Sequence, residues 1–213
     1  MKPITRLKIV VFLSSLVPLG LLGWWFYRDE LSANPIEFIT HKTGIWTLTF
    51  LLITLSITPL RKITGQHWLI QLRRMLGLFA FFYGCLHLST YVVLDHFFDW
   101  ERIVADVYKR PYVTAGFAAF VMLVPLALTS TSGMIRRLGG RRWQALHRLI
   151  YASAIAGVVH FLWLVKADIL EPAIYGAILA VLLGFRVVNW MLPRLKARTV
   201  ASDPAPGLDA GAQ

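Results

Sequence analysis

Apolar residues in this chain fall into six blocks, 9–27, 44–60, 75–94, 112–129, 144–165 and 172–192, with short polar stretches between them. Each is close to the roughly 20 residues that a helix needs to cross about 30 Å of hydrocarbon. Because 57% of the residues are hydrophobic and only 15% charged, the blocks keep no polar face that could be turned to water. A segment inside hydrocarbon must satisfy its own backbone hydrogen bonds, which leaves helices as the fold for runs of this length. The expectation is an all-α, polytopic membrane bundle of about six transmembrane helices.

The charges set the orientation. Basic residues cluster before the first block (Lys2, Arg6, Lys8), after the second (Arg61, Lys62, Arg73, Arg74), after the fourth (Arg136, Arg137, Arg141, Arg142) and after the sixth (Arg194, Lys196, Arg198). The alternate connections hold Asp29, Glu30, Glu37, Asp95, Asp99, Glu101, Asp106, Asp168 and Glu171. Lysine and arginine bias predicts that the basic connections and both termini are cytoplasmic. The net charge of +11 is thereby accounted for by topology rather than by a nucleic-acid face. Trp24, Trp25, Trp46, Trp100, Trp163 and Trp190 fall near block ends, where an aromatic belt would sit.

Cys85 is the only cysteine, which excludes an intrachain disulfide or a thiolate-held cluster. The first block is too long, and too aromatic at its end, for a typical cleaved signal, so it is read as a retained helix. Pro59 falls at the exit of the second block and Pro172 in the first turn of the sixth, while Pro125 lies inside the fourth and predicts a kink. The bundle is assigned to 1–196. Residues 197–213, rich in Ala, Pro, Gly and Asp without apolar period, are expected to form a disordered cytoplasmic tail.

Six histidines carry the functional argument. His41, His67 and His96 fall in or beside loops and read as ordinary solvated side chains, whereas His87, His147 and His160 fall within blocks or at a block's start. An ionisable group at membrane depth is costly and marks function by default. His87 follows Arg73 by 14 residues and His160 follows Arg142 by 18. At 1.5 Å per residue these are depths of about 20 and 27 Å on helices running the same way, so both fall in the outer half of the membrane and a slight offset in helix start or tilt would bring them level. Two neutral imidazoles at one depth are what a six-coordinate haem b requires, with the histidines as ligands to its iron. Gly84 and Gly157 each stand three residues before a histidine, and Gly77, Ala80, Ser153 and Ala156 continue the small faces. Such faces suit a flat macrocycle, and equally suit close helix packing.

His147 precedes His160 by 13 residues, about 20 Å toward the basic side, and could serve a second site there. The corresponding positions before His87 are Arg73 and Arg74. Arginine suits an anion such as a flavin phosphate or a haem propionate, or acts simply as a topological anchor.

The stretches RRMLGLFAFFYGCLHLSTYVV (73–93), KRPYVTAG (109–116) and LALTSTSGMIRRLGGRRWQALHRLIYASAIAGVVHFLW (126–163) together resemble the MsrQ family. That family lies within the broader ferric-reductase-like transmembrane group. The resemblance implies a bacterial inner-membrane subunit that binds haem b, one or two, and FMN. It implies electrons taken from the quinone pool or a cytoplasmic flavin reductase and delivered to MsrP, a periplasmic molybdopterin enzyme that reduces methionine sulfoxide in damaged proteins. It carries haem ligation to His87, His147 and His160. The broader group has four such histidines, and here Arg73–Arg74 stand where the fourth would be. His67 could supply that ligand, or FMN or a quinone could occupy the region.

No Gly-rich turn after a strand pattern offers a nucleotide site, and the connections are too short for a catalytic pocket. Donor and acceptor are then expected to be separate proteins or lipids, and the resemblance implies a non-catalytic electron-transfer subunit of an oxidoreductase complex. The alternatives are a stand-alone haem-dependent ferric or quinone reductase, and a small transporter lined by buried histidines. A transporter predicts charges along several blocks, whereas only Arg186 lies deep within one.

Overall fold

The computed structural model describes residues 3–165 and 167–202, with side chains as far as 192. Among the described residues it is helical without a strand. In chain order the elements are α1 (Pro3–Tyr27), α2 (Pro35–Thr64), a 3-10 turn (His67–Leu69), α3 (Ile70–Ser89), which continues as a π-helical stretch (Thr90–Asp95), and α4 (Trp100–Lys109). Then come α5 (Pro111–Leu128), α6 (Ser132–Leu138), α7 (Gly140–Leu146), α8 (Leu149–Leu164) and α9 (Leu170–Ser202). Six segments are long and apolar enough to cross a membrane: Pro3–Tyr27, Pro35–Thr64, His67–Asp95, Pro111–Leu128, Gly140–Leu164 and Leu170–Leu192. They coincide with the six apolar blocks.

The ends differ from the block limits for local reasons. α2 starts nine residues before its block because Asn34 caps it. The Asn34 Oδ1 accepts the Glu37 N–H at 3.3 Å, its Nδ2 donates to Glu37 Oε2 at 3.1 Å, and Pro35 takes the first helical position. Pro59, expected at the exit, lies inside α2, which runs on to Thr64 and stops where Gly65 turns left-handed (φ +71°) and donates to the Arg61 carbonyl. α9 runs through Ser202. Residues 203–213, the remainder of the stretch expected to be disordered, lie outside the described residues.

α2 packs along α3, and α5 along α8; α9 lies against α8 and α2, and α1 against α3. α2 is the axis of the bundle, with Leu48, Leu51, Leu52 and Leu55 all buried. The peripheral helices turn Leu13 and Val17 of α1 and Ile174 and Val181 of α9 outward. An apolar outside around a packed inside is the arrangement of a bilayer protein. The Lys8 ammonium donates to Gln71 Oε1 at 3.1 Å and the Lys62 ammonium to Asn189 Oδ1 at 3.2 Å. These contacts gather the start of α1, the α2–α3 connection and the late part of α9 at one end, here called the basic end. The connections bearing the acids gather at the other.

Aromatic packing joins the helices between those ends. The Tyr83 ring stacks on Phe50 (centroids 5.3 Å apart, planes within 6°), and its hydroxyl donates to the Ser15 carbonyl of α1 at 2.7 Å. Tyr83 is completely buried. Tyr83→Phe keeps the stack and deletes the bond between α3 and α1, which should cost about 1 kcal/mol. The loss would be read as a lower melting temperature of the detergent-solubilised protein; an unchanged value would mean that α1 is held by packing alone.

Candidate functional site

His87 on α3 and His160 on α8 come together. Their ring centroids lie 6.0 Å apart with the planes at 73°. Imidazoles on opposite sides of one metal, each bound at about 2 Å, place their ring centres about 6 Å apart. The level depth expected from the spacing is therefore met in space, between two different helix pairs.

Each ring is fixed from the neighbouring helix by its other nitrogen. His87 Nδ1 lies 2.8 Å from the Thr40 carbonyl of α2, and His160 Nδ1 lies 2.6 Å from the Tyr112 carbonyl of α5. A carbonyl can only accept, so in both rings Nδ1 carries the hydrogen and Nε2 keeps its lone pair. Metal-bound histidines are typically held in this way, donating through the second nitrogen to a carbonyl or carboxylate. No hydrogen bond among the described residues engages either Nε2. The Thr40–His87 link is doubled by hydroxyls: Thr40 Oγ1 donates to Thr90 Oγ1 at 3.0 Å, and Thr90 Oγ1 donates to the His87 carbonyl at 2.8 Å. Thr90 opens the π-helical stretch, a local irregularity common at functional positions.

The two rings face a cavity of about 290 Å³ between the α2–α3 pair and the α5–α8 pair. Its wall includes four glycines, Gly44, Gly84, Gly116 and Gly157, one from each helix. Gly84 and Gly157, the two singled out from sequence, line the cavity, where an added Cβ would meet only ordinary neighbours at 3.5–3.6 Å (Phe120 and Thr47; Leu48). The close approaches are at the other two. A Cβ on Gly44 would lie 3.0 Å from the His87 ring, and one on Gly116 would lie 2.7 Å from the His160 ring. At Gly116 a side chain would force the His160 ring to shift, and at Gly44 the His87 ring would have to give by a few tenths of an ångström, so glycine lets α2 and α5 bring their carbonyls to the imidazoles. Gly44 and Gly116 escaped the sequence reading because they lie on helices that carry neither His87 nor His160, although Gly116 closes the KRPYVTAG stretch.

His147 sits apart, toward the basic end. Its ring stacks on Trp143 with centroids 3.9 Å apart, and Nε2 is 3.0 Å from Thr129 Oγ1 at the end of α5. Thr129 Oγ1 is itself 2.6 Å from the Pro125 carbonyl, to which it donates, so His147 Nε2 accepts no more than a share of that hydroxyl. Arg73 is half-buried with Arg61, Tyr151, Arg186 and His147 as its electrostatic neighbours. Arg74 faces outward along the groove between α1 and α3. Arg186 donates from Nη2 to the Leu55 carbonyl at 2.6 Å and from Nη1 to the Leu182 carbonyl at 3.0 Å, with its guanidinium 5.3 Å above the Tyr151 ring. The described residues thus bring together Arg73, Arg186, Tyr151 and His147, but place Arg74 on the outside.

The three remaining histidines part company. His67 is exposed in its 3-10 turn. His41 is within α2, edge-on to Phe161 at 5.8 Å and in the cavity wall. His96 is only 7% exposed, with Nε2 3.2 Å from Asp106 Oδ2. Sequence spacing could not anticipate that burial, because it comes from α4 folding back over the end of α3.

The chain is similar to known proteins along most of its length. The family described as ferric reductase like transmembrane component matches residues 43–158, from α2 into α8. The chain is 55% identical over 186 residues to the protein-methionine-sulfoxide reductase heme-binding subunit MsrQ of Herminiimonas arsenicoxydans, covering 86% of this chain and 85% of that one. It is 54% identical over 189 residues to the MsrQ of Azospira oryzae, with 88% and 81% covered. It is 51% identical over 205 residues to the MsrQ of Xanthomonas euvesicatoria pv. vesicatoria, with 93% and 92% covered.

The glycine contacts separate the two readings of the small-residue faces. Gly116→Ala should push His160 off the Tyr112 carbonyl and weaken uptake of a bis-imidazole metalloporphyrin at least tenfold, whereas Gly157→Ala should remain within a factor of three. A spectrophotometric titration of the purified protein measures both. Equal uptake by the two variants would mean that the crowding at Gly116 is relieved elsewhere.

Proposed function

This chain belongs to the MsrQ family, and on that premise we propose that it is the membrane electron-transfer subunit of a methionine sulfoxide reductase system, with haem b held between His87 and His160. The observation that carries the reading is the imidazole pair itself: 6.0 Å between ring centroids, each Nδ1 committed to a backbone carbonyl and each Nε2 left for a metal. The donor set suits haem iron, since two neutral histidines are the ordinary axial pair of a six-coordinate b-type site. When bound, haem would supply reversible one-electron chemistry, and His87 and His160 are the residues that would hold its iron.

The chain's own residues hold, orient and insulate. Thr40 and Tyr112 lend carbonyls that orient the rings, Thr90 locks the Thr40 contact, and Gly44 and Gly116 set the distance. Leu48, Leu51, Phe120 and Leu123 keep the cavity apolar, which excludes water and lowers the cost of rearrangement when charge arrives. The helix pairs on either side are rigid packed elements, as a precise site requires.

At the basic end, Arg73 and Arg186 with Tyr151 and His147 form a cationic cluster in a region whose connections hold no acid. Uncompensated guanidinium groups suit an anion. The cluster supports a place for the phosphate of FMN or for the propionates of a second haem ligated by His147, with Arg74 guiding anions from outside. Electrons would enter there, from quinol or a cytoplasmic flavin reductase, and leave near His160 toward a periplasmic MsrP-like molybdopterin reductase. The positive-inside distribution supports cytoplasmic termini and a bacterial inner-membrane location. A stand-alone ferric or quinone reductase would share the haem but not the periplasmic partner, and the MsrQ relationship favours the first reading.

The deciding measurement is the absorption spectrum of the purified protein, oxidised and reduced. Wild type should show a Soret band that sharpens on reduction with a resolved α-band, and His87→Ala and His160→Ala should each lose it. His147→Ala should keep that spectrum, with loss confined to any second cofactor. A colourless protein made with ample haem would sink the reading.

A further inference from the structure

Among the described residues, the wall of the cavity holds one lysine or arginine, and it is Arg110. It stands between α4 and α5, at the mouth of the cavity on the acidic end, two residues before Tyr112, whose carbonyl receives His160. Its guanidinium is half in water, with side-chain exposure of 54%, and is held by two neighbours. Nε lies 3.3 Å from Asp106 Oδ1, and Nη1 donates to the Tyr112 hydroxyl at 3.2 Å. The Asp106 carboxylate is itself fixed. Its Oδ2 receives His96 Nε2 at 3.2 Å and the Tyr91 hydroxyl at 3.4 Å, and its side chain is only 11% exposed. His96 Nδ1 sits 3.2 Å from the Tyr91 carbonyl and 3.3 Å from Asp95 Oδ2. Tyr91 and Asp95 belong, like Arg110 and Tyr112, to the cavity wall.

A surface arginine is ordinarily a loose, solvated chain, and surface ion pairs contribute little. This one is different in being aimed. A buried carboxylate takes its Nε, a tyrosine takes one Nη1 hydrogen, and the remaining donors of the fork stay for a ligand at the mouth. Asp106 is in turn oriented by a buried histidine and a tyrosine, the arrangement by which a supporting shell fixes a binding group. An apolar cavity that takes an amphiphilic macrocycle must let its carboxylates out where a cation can meet them.

We propose that Arg110 is the anchor for a carboxylate side chain of the haem, and that Asp106 and His96 are positioning residues that hold its guanidinium at the mouth. This rests on the haem reading above and adds a direction to it: the carboxylate edge faces the acidic end, and the apolar edge faces Leu51 and Leu123. It also makes Arg110 a determinant of redox potential. Reduction adds one negative charge to the site, and a cation at short range in a partly apolar environment favours the reduced state. The Asp106 carboxylate, beside the same guanidinium, opposes that effect.

The test is a spectroelectrochemical titration of haem-loaded full-length protein in detergent. Arg110→Gln should shift the midpoint potential down, Arg110→Lys should stay nearer wild type, and Asp106→Asn should shift it up. Opposite signs for Arg110→Gln and Asp106→Asn cannot come from a shared loss of structure. Haem lost from Arg110→Gln but retained by Arg110→Lys supports the same assignment, because Lys keeps the positive charge that Gln removes. Potentials unchanged in all three, shifts of one sign, or equal haem loss from all three would overturn it and reduce Arg110 to a link between α4 and α5. A wild-type protein that takes up no haem would instead overturn the reading beneath it.

Discussion

The structure depends on two hydrogen bonds that cross between helices, from His87 to the Thr40 carbonyl and from His160 to the Tyr112 carbonyl. In a helix the backbone carbonyls are already engaged, so a second donor must approach from the side. That requires the neighbouring helix to come within reach of the ring, and a side chain at the point of contact would forbid it. Gly44 and Gly116 meet that requirement. The tautomer, the ring orientation and the separation of the two Nε2 atoms then follow from backbone positions rather than from flexible side chains. A site for electron transfer gains from such rigidity, because little has to move when charge arrives.

The same contacts explain why the bundle is divided into pairs. α2 lends its carbonyl to α3, and α5 lends its carbonyl to α8; these are the pairs that lie along one another. Inside each pair the helices touch closely, and between the pairs a cavity remains. Ser153 contributes to this, its completely buried hydroxyl donating to the Ala119 carbonyl at 2.9 Å and stitching α8 to α5 beneath His160. In hydrocarbon no hydrophobic force separates helix from lipid, so packing and such polar stitches decide which helices associate. The peripheral helices α1 and α9 are apolar on their outer sides and carry neither histidine.

Sequence made the six spans legible because a bilayer imposes a length and a polarity that few other environments demand. His87 and His160 were legible because an imidazole is conspicuous among Leu, Phe and Val. The glycines were legible only in part for a related reason: helical periodicity reports a residue's own face, not what the facing helix presents. Thus Gly84 and Gly157 drew notice, while Gly44 and Gly116, which touch the rings, did not. His96 read as a solvated loop residue because nothing local indicates that Asp99 caps a short helix that folds Asp106 over it. Phe97 and Phe98, both left-handed at φ +47° and +61°, make the turn, and no glycine or asparagine advertises it.

Charge separates the two ends of the molecule in a way that goes beyond topology. At the basic end Arg73 and Arg186 are drawn inward among helices, with carbonyl and aromatic partners and no carboxylate among the contacts described. At the acidic end Arg110 is paired with Asp106, whose carboxylate also receives His96 Nε2. An uncompensated cation lowers the energy of an arriving negative charge more than a paired one does. In the proposed reading, the basic end therefore favours capture of an electron or an anionic carrier, while the compensated end holds it less strongly. On electrostatics alone such a gradient resists passage from the basic end to the acidic end, so net flow in that direction would have to be driven by the potentials of the donor and the acceptor. The residues that place the chain in the membrane would then also help to set where along it an electron is held most strongly.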